Sequence, residues 1–333
     1  MSILLPDRSV ALPFQSAAVP SLVELSGEQA KRRYLEFFTA NIRNHNTREA
    51  YHRASDLFLS WCERNGLGDL RSIEPVVVAT WIEVLQRTHS PPSVKQHLAA
   101  IRMLFDWLVV GQIVPHNPAA SVRGPRHVTK RGKTPVLTAE ETRLLLDSLP
   151  IGPVDKPDLA AYRDRALIAT MVFSFARVGA VVRMLVEDYH PRGKRWWLRL
   201  HEKGGKVHEV PTHHTLEEYL DEWLTVSNLR ADGKGKGPLF PAIRGRTGTL
   251  SDSPMTRNDA LRAIKRRARA AGLPAGSVCC HTFRATGITT FLENGGSLET
   301  AQAIAAHESP RTTMLYDRTG EKITLDEIER VRI

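Results

Sequence analysis

Two imidazoles, a guanidinium and a phenol gather near the end of this chain: His281-Thr-Phe-Arg284, Ala306-His307 and Tyr316. Farther up, Arg177 follows an apolar helical run, and Lys203 stands at the turn Gly204-Gly205. These types suit metal-free attack on a phosphodiester. Guanidiniums donate fork-like hydrogen bonds to non-bridging oxygens as charge builds on them. A phenol, with a pKa of about 10, becomes a nucleophile once a base takes its proton. Arg177 and Arg284 fit the first role and Tyr316 the second, with His281 as base and His307 as a further donor to the phosphate. Each piece is weak alone. His281 and Arg284 share a helix face by their spacing, which in most proteins marks a hydrogen-bonded structural pair. An isolated Tyr316 reads as a half-buried packing residue with its hydroxyl at the surface.

The elements that must hold these groups show in the apolar period. Residues 1–25, with Pro6, Pro13 and Pro20, show no sustained period and read as a mobile tail or docking arm. Ser26 with Gln29 reads as a capping box opening the first helix. From there to about Val110 the pattern is helical, with Tyr51, Leu57, Phe58 and Trp61 and then Leu98, Ile101, Phe105 and Leu108 at helical spacing. Gly66, Gly68, Pro75 and Ser90-Pro91-Pro92 divide it into four or five helices, and Asn117-Pro118 ends it. Thr138 and Glu141 form a capping box before Leu144, Leu145 and Leu146, and residues 158–176 form another helix. The period then changes: Trp196 to Leu200 and Val207 to Val210 are β-prone runs around the Gly-Gly turn. Helices resume near Thr215, and Ser309-Pro310 opens the short helix that ends near Tyr316.

The chain has 333 residues, a net charge of +10 and a pI of about 9.7, so an acidic polymer is an expected partner. The charge is uneven: residues 1–122 hold 12 Lys+Arg against 11 Asp+Glu, which leaves 34 against 25 in residues 123–333. Residues 123–133 carry Arg123, Arg126, Lys130, Arg131 and Lys133 with no anion, which suits a linker lying along a phosphate backbone. With Lys95, Arg102, Arg262, Lys265 and Arg266 they are the candidate contacts to such a backbone. Three cysteines, Cys62, Cys279 and Cys280, offer no zinc spacing and read as reduced thiols of a cytoplasmic protein. No run of eighteen apolar residues suggests a membrane span, and the N-terminus lacks signal-peptide features.

The ordered set Arg177, Lys203, His281, Arg284, His307, Tyr316 resembles the tyrosine recombinase (phage integrase) family. Ser174-Phe-Ala-Arg177 resembles its first box, and Glu202-Lys203-Gly-Gly-Lys206 with Glu209-Val210-Pro211 its lysine hairpin. His281 to Arg284, and Ala306-His307 to Tyr316, are similar to its last two boxes. Asn46-Thr47 through Trp61, and Ala99 to Trp107 with Asn117-Pro118, resemble the ends of its helical domain. The resemblance implies a mainly α fold with a small antiparallel β-sheet. A helical, SAM-like core-binding domain (26–122) and a basic linker (123–137) would precede a mixed α/β catalytic domain (138–333), together a C-shaped clamp on duplex DNA. It further implies Lys203 as general acid, a 3′-phosphotyrosyl intermediate and a Holliday junction. No metal or other cofactor is expected, and the assembly would be a homodimer on each site and a homotetramer at synapsis.

The sequence departs from the family's pattern at Ala180, where many members carry an acid supporting the active-site histidine; either a nearby carboxylate, Glu187 or Asp188, substitutes, or the His281 environment differs. Ala306 replaces the usual glycine, and Lys206 rivals Lys203 across the same turn. Thr324 and Glu327 cap a terminal helix near 324–333 that either folds back or docks on a neighbouring protomer. A type IB topoisomerase-like relaxing enzyme and a non-catalytic DNA-binding regulator are the alternatives on the same fold.

Overall fold

Apolar residues at three- and four-residue spacing become buried helix faces in the amino-terminal half of the chain. The computed structural model describes residues 19–127, 132–152, 156–202, 205–230, 235–244, 247–276 and 278–318. Lys130, Arg131, Lys203, most of the expected tail and the expected terminal helix lie outside the described residues. The chain divides into two units, Met1–Val128 and Thr129–Ile333.

In the first unit, helices α1 (Ser21–Leu25), α2 (Glu28–Glu36), α3 (His45–Arg64), α4 (Pro75–Gln86) and α5 (Pro91–Val110) pack around Phe58, Trp81 and Phe105. Asn44 caps α3 by accepting from the Thr47 amide at 3.2 Å, and prolines sit at the starts of α4 and α5, where no amide partner is needed. Of the predicted stripe on α3, Phe58 is buried but Leu57 is exposed.

Two expectations fail here. Helix α1 lies inside the stretch read as a tail, because Leu22 and Val23 are fully buried. The Ser26–Gln29 capping box does not form. Gly27, at φ +100°, caps α2 instead, while the Ser26 hydroxyl donates to the Leu22 carbonyl at 2.8 Å and accepts from the Leu70 amide at 3.1 Å. A left-handed glycine makes the turn between the two helices, and the serine ties that turn to a later one.

The second unit is built on α6 (Ala139–Asp147), capped by the predicted Thr138–Glu141 box, and α7 (Leu159–Phe173). α8 (Val178–Val181) follows and leads into an antiparallel sheet β1 (Tyr189–Arg192), β2 (Arg195–His201) and β3 (Val207–Pro211), in that order. The register sets Leu198 opposite both Tyr189 and Val210, so a single face is buried. α9 (His214–Ser227) packs on α7. A second hairpin, β4 (Pro241–Arg244) and β5 (Thr249–Pro254), was hidden by its prolines and polar residues. The remaining helices are α10 (Arg257–Ala270), α11 (Cys280–Glu293), α12 (Leu298–Ile304) and α13 (Pro310–Met314). Among the described residues no helix is long and apolar enough to cross a membrane.

The stretch read as a linker is divided. Residues 132–137 lie against the second unit: the Gly132 amide donates to the Leu315 carbonyl at 3.0 Å, the Leu137 amide to the Thr286 hydroxyl at 3.0 Å, and Arg318 to the Thr134 carbonyl at 3.1 Å.

Candidate active site

Helix α11 supplies most of the scaffold. His281 lies in its first turn and Arg284 one turn on, as their spacing requires. His281 Nε2 is 2.7 Å from the Tyr316 hydroxyl. Farther along the helix the Thr289 hydroxyl donates to the Tyr316 carbonyl at 2.9 Å. The nucleophile candidate is thus held at both its side chain and its backbone, and is 7% exposed.

Arg284 is 1% exposed, and its Nη1 donates to the Phe175 carbonyl and its Nη2 to the Ala305 carbonyl, the latter at 2.7 Å. The first contact depends on a left-handed turn after α7: Phe175 has φ +53°, a conformation L-residues rarely adopt. That turn brings Arg177 to the N-cap of α8. Gly287 lies under it. A Cβ there would overlap the Val172 carbonyl oxygen and come within 2.7 Å of the Phe175 ring.

His307 is placed by the end of α12. Its amide donates to Gln302 O at 3.1 Å and the Ala306 amide to Ala303 O at 3.1 Å, the pair of bonds of a Schellman cap. Such a cap needs a left-handed residue, and Ala306 takes φ +47°. Alanine in place of the family's usual glycine therefore carries backbone strain here. Beyond it, the His307 ring lies parallel to Tyr316, centroids 5.8 Å apart at 8°, with Nδ1 2.9 Å from the Thr313 hydroxyl.

The charges reinforce one another. Burial raises the Tyr316 phenol above its ordinary pKa, against the opposing pull of Arg284 and Arg177. Desolvation first, then Arg284 and Arg177, hold His281 below the usual histidine range. The same causes, with His281 added, push His307 down to about 3. Burial and the proximity of Arg177 lower Arg284 to about 10. Both imidazoles are therefore neutral at pH 7, and the positive charge of the site resides on the arginines.

Five of the six predicted groups, all but Lys203, thus converge. Lys206, the rival of Lys203, is ion-paired with Glu308 at 2.5 Å. Neither Glu187 nor Asp188, the acids expected to stand in for the one missing at Ala180, is hydrogen-bonded to His281 or His307 among the described residues, and the carboxylate at Arg177 is a different one. Asp188 accepts from the Leu185 amide at 2.8 Å and lies 3.1 Å from His201 Nε2, and Glu187 is exposed. Glu202 is the partner, its Oε2 accepting from Arg177 Nη1 at 2.7 Å. Glu202 adjoins Lys203 in sequence, and that adjacency was the available signal. Thr289 and Thr313 had none.

The candidate DNA contacts lie apart from this cluster in sequence. Lys95, Arg123 and Arg126 of the first unit and Lys133 and Lys265 of the second are exposed. Arg102 donates to the carbonyls of Ala119 and Val122, bracing the end of its own unit. Arg262 pairs with Asp259, and Arg266 with the buried Asp164 at 2.9 Å.

A helical unit followed by a mixed unit, with two arginines, two histidines and a tyrosine at its centre, defines a phosphodiester strand-transfer enzyme. The phage integrase family profile matches residues 135–322, and that of the phage integrase N-terminal SAM-like domain residues 32–111. The chain belongs to the phage integrase family, the tyrosine-type site-specific DNA recombinases. It is 29% identical to tyrosine recombinase XerD of Corynebacterium glutamicum over 297 residues, 86% of this chain and 90% of that protein. The fold is similar to that of XerH site-specific recombinase bound to palindromic difH substrate in a post-cleavage complex, with TM-score 0.70 at 17% identity, covering 96% of this chain and 98% of that one. A lambda integrase tetramer bound to a Holliday junction gives TM-score 0.62 at 17% identity, covering 89% and 78%.

Proposed function

We propose that Tyr316 cuts one strand of duplex DNA at a defined site and becomes joined to its 3′ phosphate. The Tyr316 oxygen attacks phosphorus while its proton passes to His281 Nε2. The bond from phosphorus to the 5′ oxygen breaks, and that oxygen takes a proton from Lys203. Arg177 and Arg284 hold the non-bridging oxygens, and His307 donates to one of them through Nε2. The products are a 3′-phosphotyrosyl ester and a free 5′-hydroxyl. Attack by another 5′-hydroxyl reverses the step, so the ester conserves the bond energy and strands rejoin.

The observation that supports this reading is the 2.7 Å contact between His281 Nε2 and the phenol, with both arginines close enough to oppose the upward shift of its pKa. Two protomers would bind each site and four would exchange strands through a Holliday junction. The lambda integrase assembly and the family resemblance support that assembly. The exposed cations Lys95, Arg123, Arg126, Lys133 and Lys265 would follow the phosphate backbone.

The test is suicide-substrate trapping. A nicked cognate duplex gives a covalent complex that survives denaturant, and Tyr316→Phe removes it. Persistence of the complex in that variant would sink the assignment. Relaxation of any supercoiled plasmid without site preference would replace it with a topoisomerase-like activity.

A further inference from the structure

Three residues after Arg177 stands Ala180, which is buried and has no carboxylate to offer. A carboxylate nonetheless reaches Arg177, from the end of β2. The Glu202 side chain is 4% exposed and its Oε2 accepts from Arg177 Nη1 at 2.7 Å. Its backbone is fixed by the hairpin, the Glu202 amide donating to the Lys206 carbonyl at 2.7 Å. Its other oxygen, Oε1, is buried without a hydrogen-bond partner among the described residues.

The geometry has a direction. Arg177 is 41% exposed and is held at Nη1, while its remaining donors meet no acceptor among the described residues. One edge of the guanidinium is gripped and the other is free for a phosphate. Burying a carboxylate costs several kcal/mol unless a charge partner repays it. A purely structural pair would use up both partners. This one spends a buried anion to fix a half-exposed cation. Glu202 also offsets the repulsion between Arg177 and Arg284, acting to raise the Arg284 pKa while Arg177 depresses it.

We propose that Glu202, at the end of β2, is a positioning residue that holds the Arg177 guanidinium for the scissile phosphate. This rests on the recombinase reading above. It makes the hairpin a source of two functions, since Glu202 immediately precedes Lys203, the proposed acid.

The probe is a nicked duplex enriched from a randomised library by covalent capture on the unaltered protein. Glu202→Gln keeps the shape and removes the charge. Single-turnover cleavage by the folded variant should slow about 10- to 100-fold, the cost of a slightly misplaced group, while duplex Kd stays unchanged. Glu202→Asp should recover part of the rate. In an Arg177→Ala background, Glu202→Gln should add no further loss, because Glu202 acts through Arg177. Unaltered cleavage by Glu202→Gln, or losses that multiply in the double variant, would overturn the proposal. A failure of the unaltered protein to capture any duplex would instead overturn the recombinase reading, and the role of Glu202 with it.

Discussion

His281 Nε2 and the Tyr316 hydroxyl lie 2.7 Å apart although thirty-five residues separate them. The proposed base and the proposed nucleophile are thus in hydrogen-bond contact. The ring is held neutral by desolvation and by Arg284 and Arg177, so it can accept a proton at pH 7.

His281→Gln should lower single-turnover cleavage about 100-fold, the usual worth of a positioned base. The pH profile separates base from spacer. The unaltered enzyme should lose rate as pH falls below the ordinary histidine range and the ring takes a proton. The variant should show no such acid limb. An unchanged acid limb in His281→Gln would assign it to another group.

His307 links the site to stability. Its folded pKa, about 3, lies below the ordinary histidine value of about 6.5. The fold therefore favours the neutral ring. Its contribution is fully present above about pH 6.5 and is lost as pH falls toward 3, with a limiting slope of about 1.4 kcal/mol per pH unit for the one proton. Urea titrations of His307→Asn and the unaltered protein should differ least in acid and most near neutrality.

Thr289→Val removes a buried donor and leaves the Tyr316 carbonyl without it. The loss should be about 1–3 kcal/mol in denaturant unfolding. Cleavage should also slow, because the backbone carrying the nucleophile is released. Loss of stability with cleavage untouched would show that the phenol is placed by its own side-chain contacts alone.

Ala306→Gly should stabilise the protein. The left-handed conformation costs an L-residue about 1–2 kcal/mol, and the greater freedom of glycine in the unfolded chain takes back about 0.4–1. A net gain of about 0.5–1 kcal/mol, read as a higher denaturant midpoint, is expected. Gly287→Ala should do the reverse, by about 1–3 kcal/mol or more, because its methyl would meet the Val172 carbonyl and the Phe175 ring.

The amino-acid sequence announced residues whose chemistry is written in their type. Arg177, His281, Arg284, His307 and Tyr316 were legible because a guanidinium, an imidazole and a phenol in a fixed order have few joint uses. The Thr138 cap and the β2–β3 hairpin were legible because local chemistry determines them. For Glu202 the only signal was its adjacency to Lys203; its pairing was not legible, since Arg177 lies twenty-five residues back and only the folded hairpin brings them together. Phe175 and Ala306 concealed their left-handed backbones, because neither type favours that conformation. The second hairpin was concealed by Pro241 and Pro254 at its ends. Helix α1 was concealed because five residues are too few to establish a period.

The clasp between residues 132–137 and the segment around Tyr316 bears on how the enzyme is made. Arg318 reaches Thr134 across 184 positions, and Leu315 meets Gly132. A chain emerging from the ribosome must hold its early segment open until these late residues appear, because domains complete only when their last contacts arrive. Tyr316, the proposed nucleophile, is thus set in place only well after residues 132–137 have been made. A polypeptide that stops before residue 316 lacks the hydroxyl proposed to cut the strand.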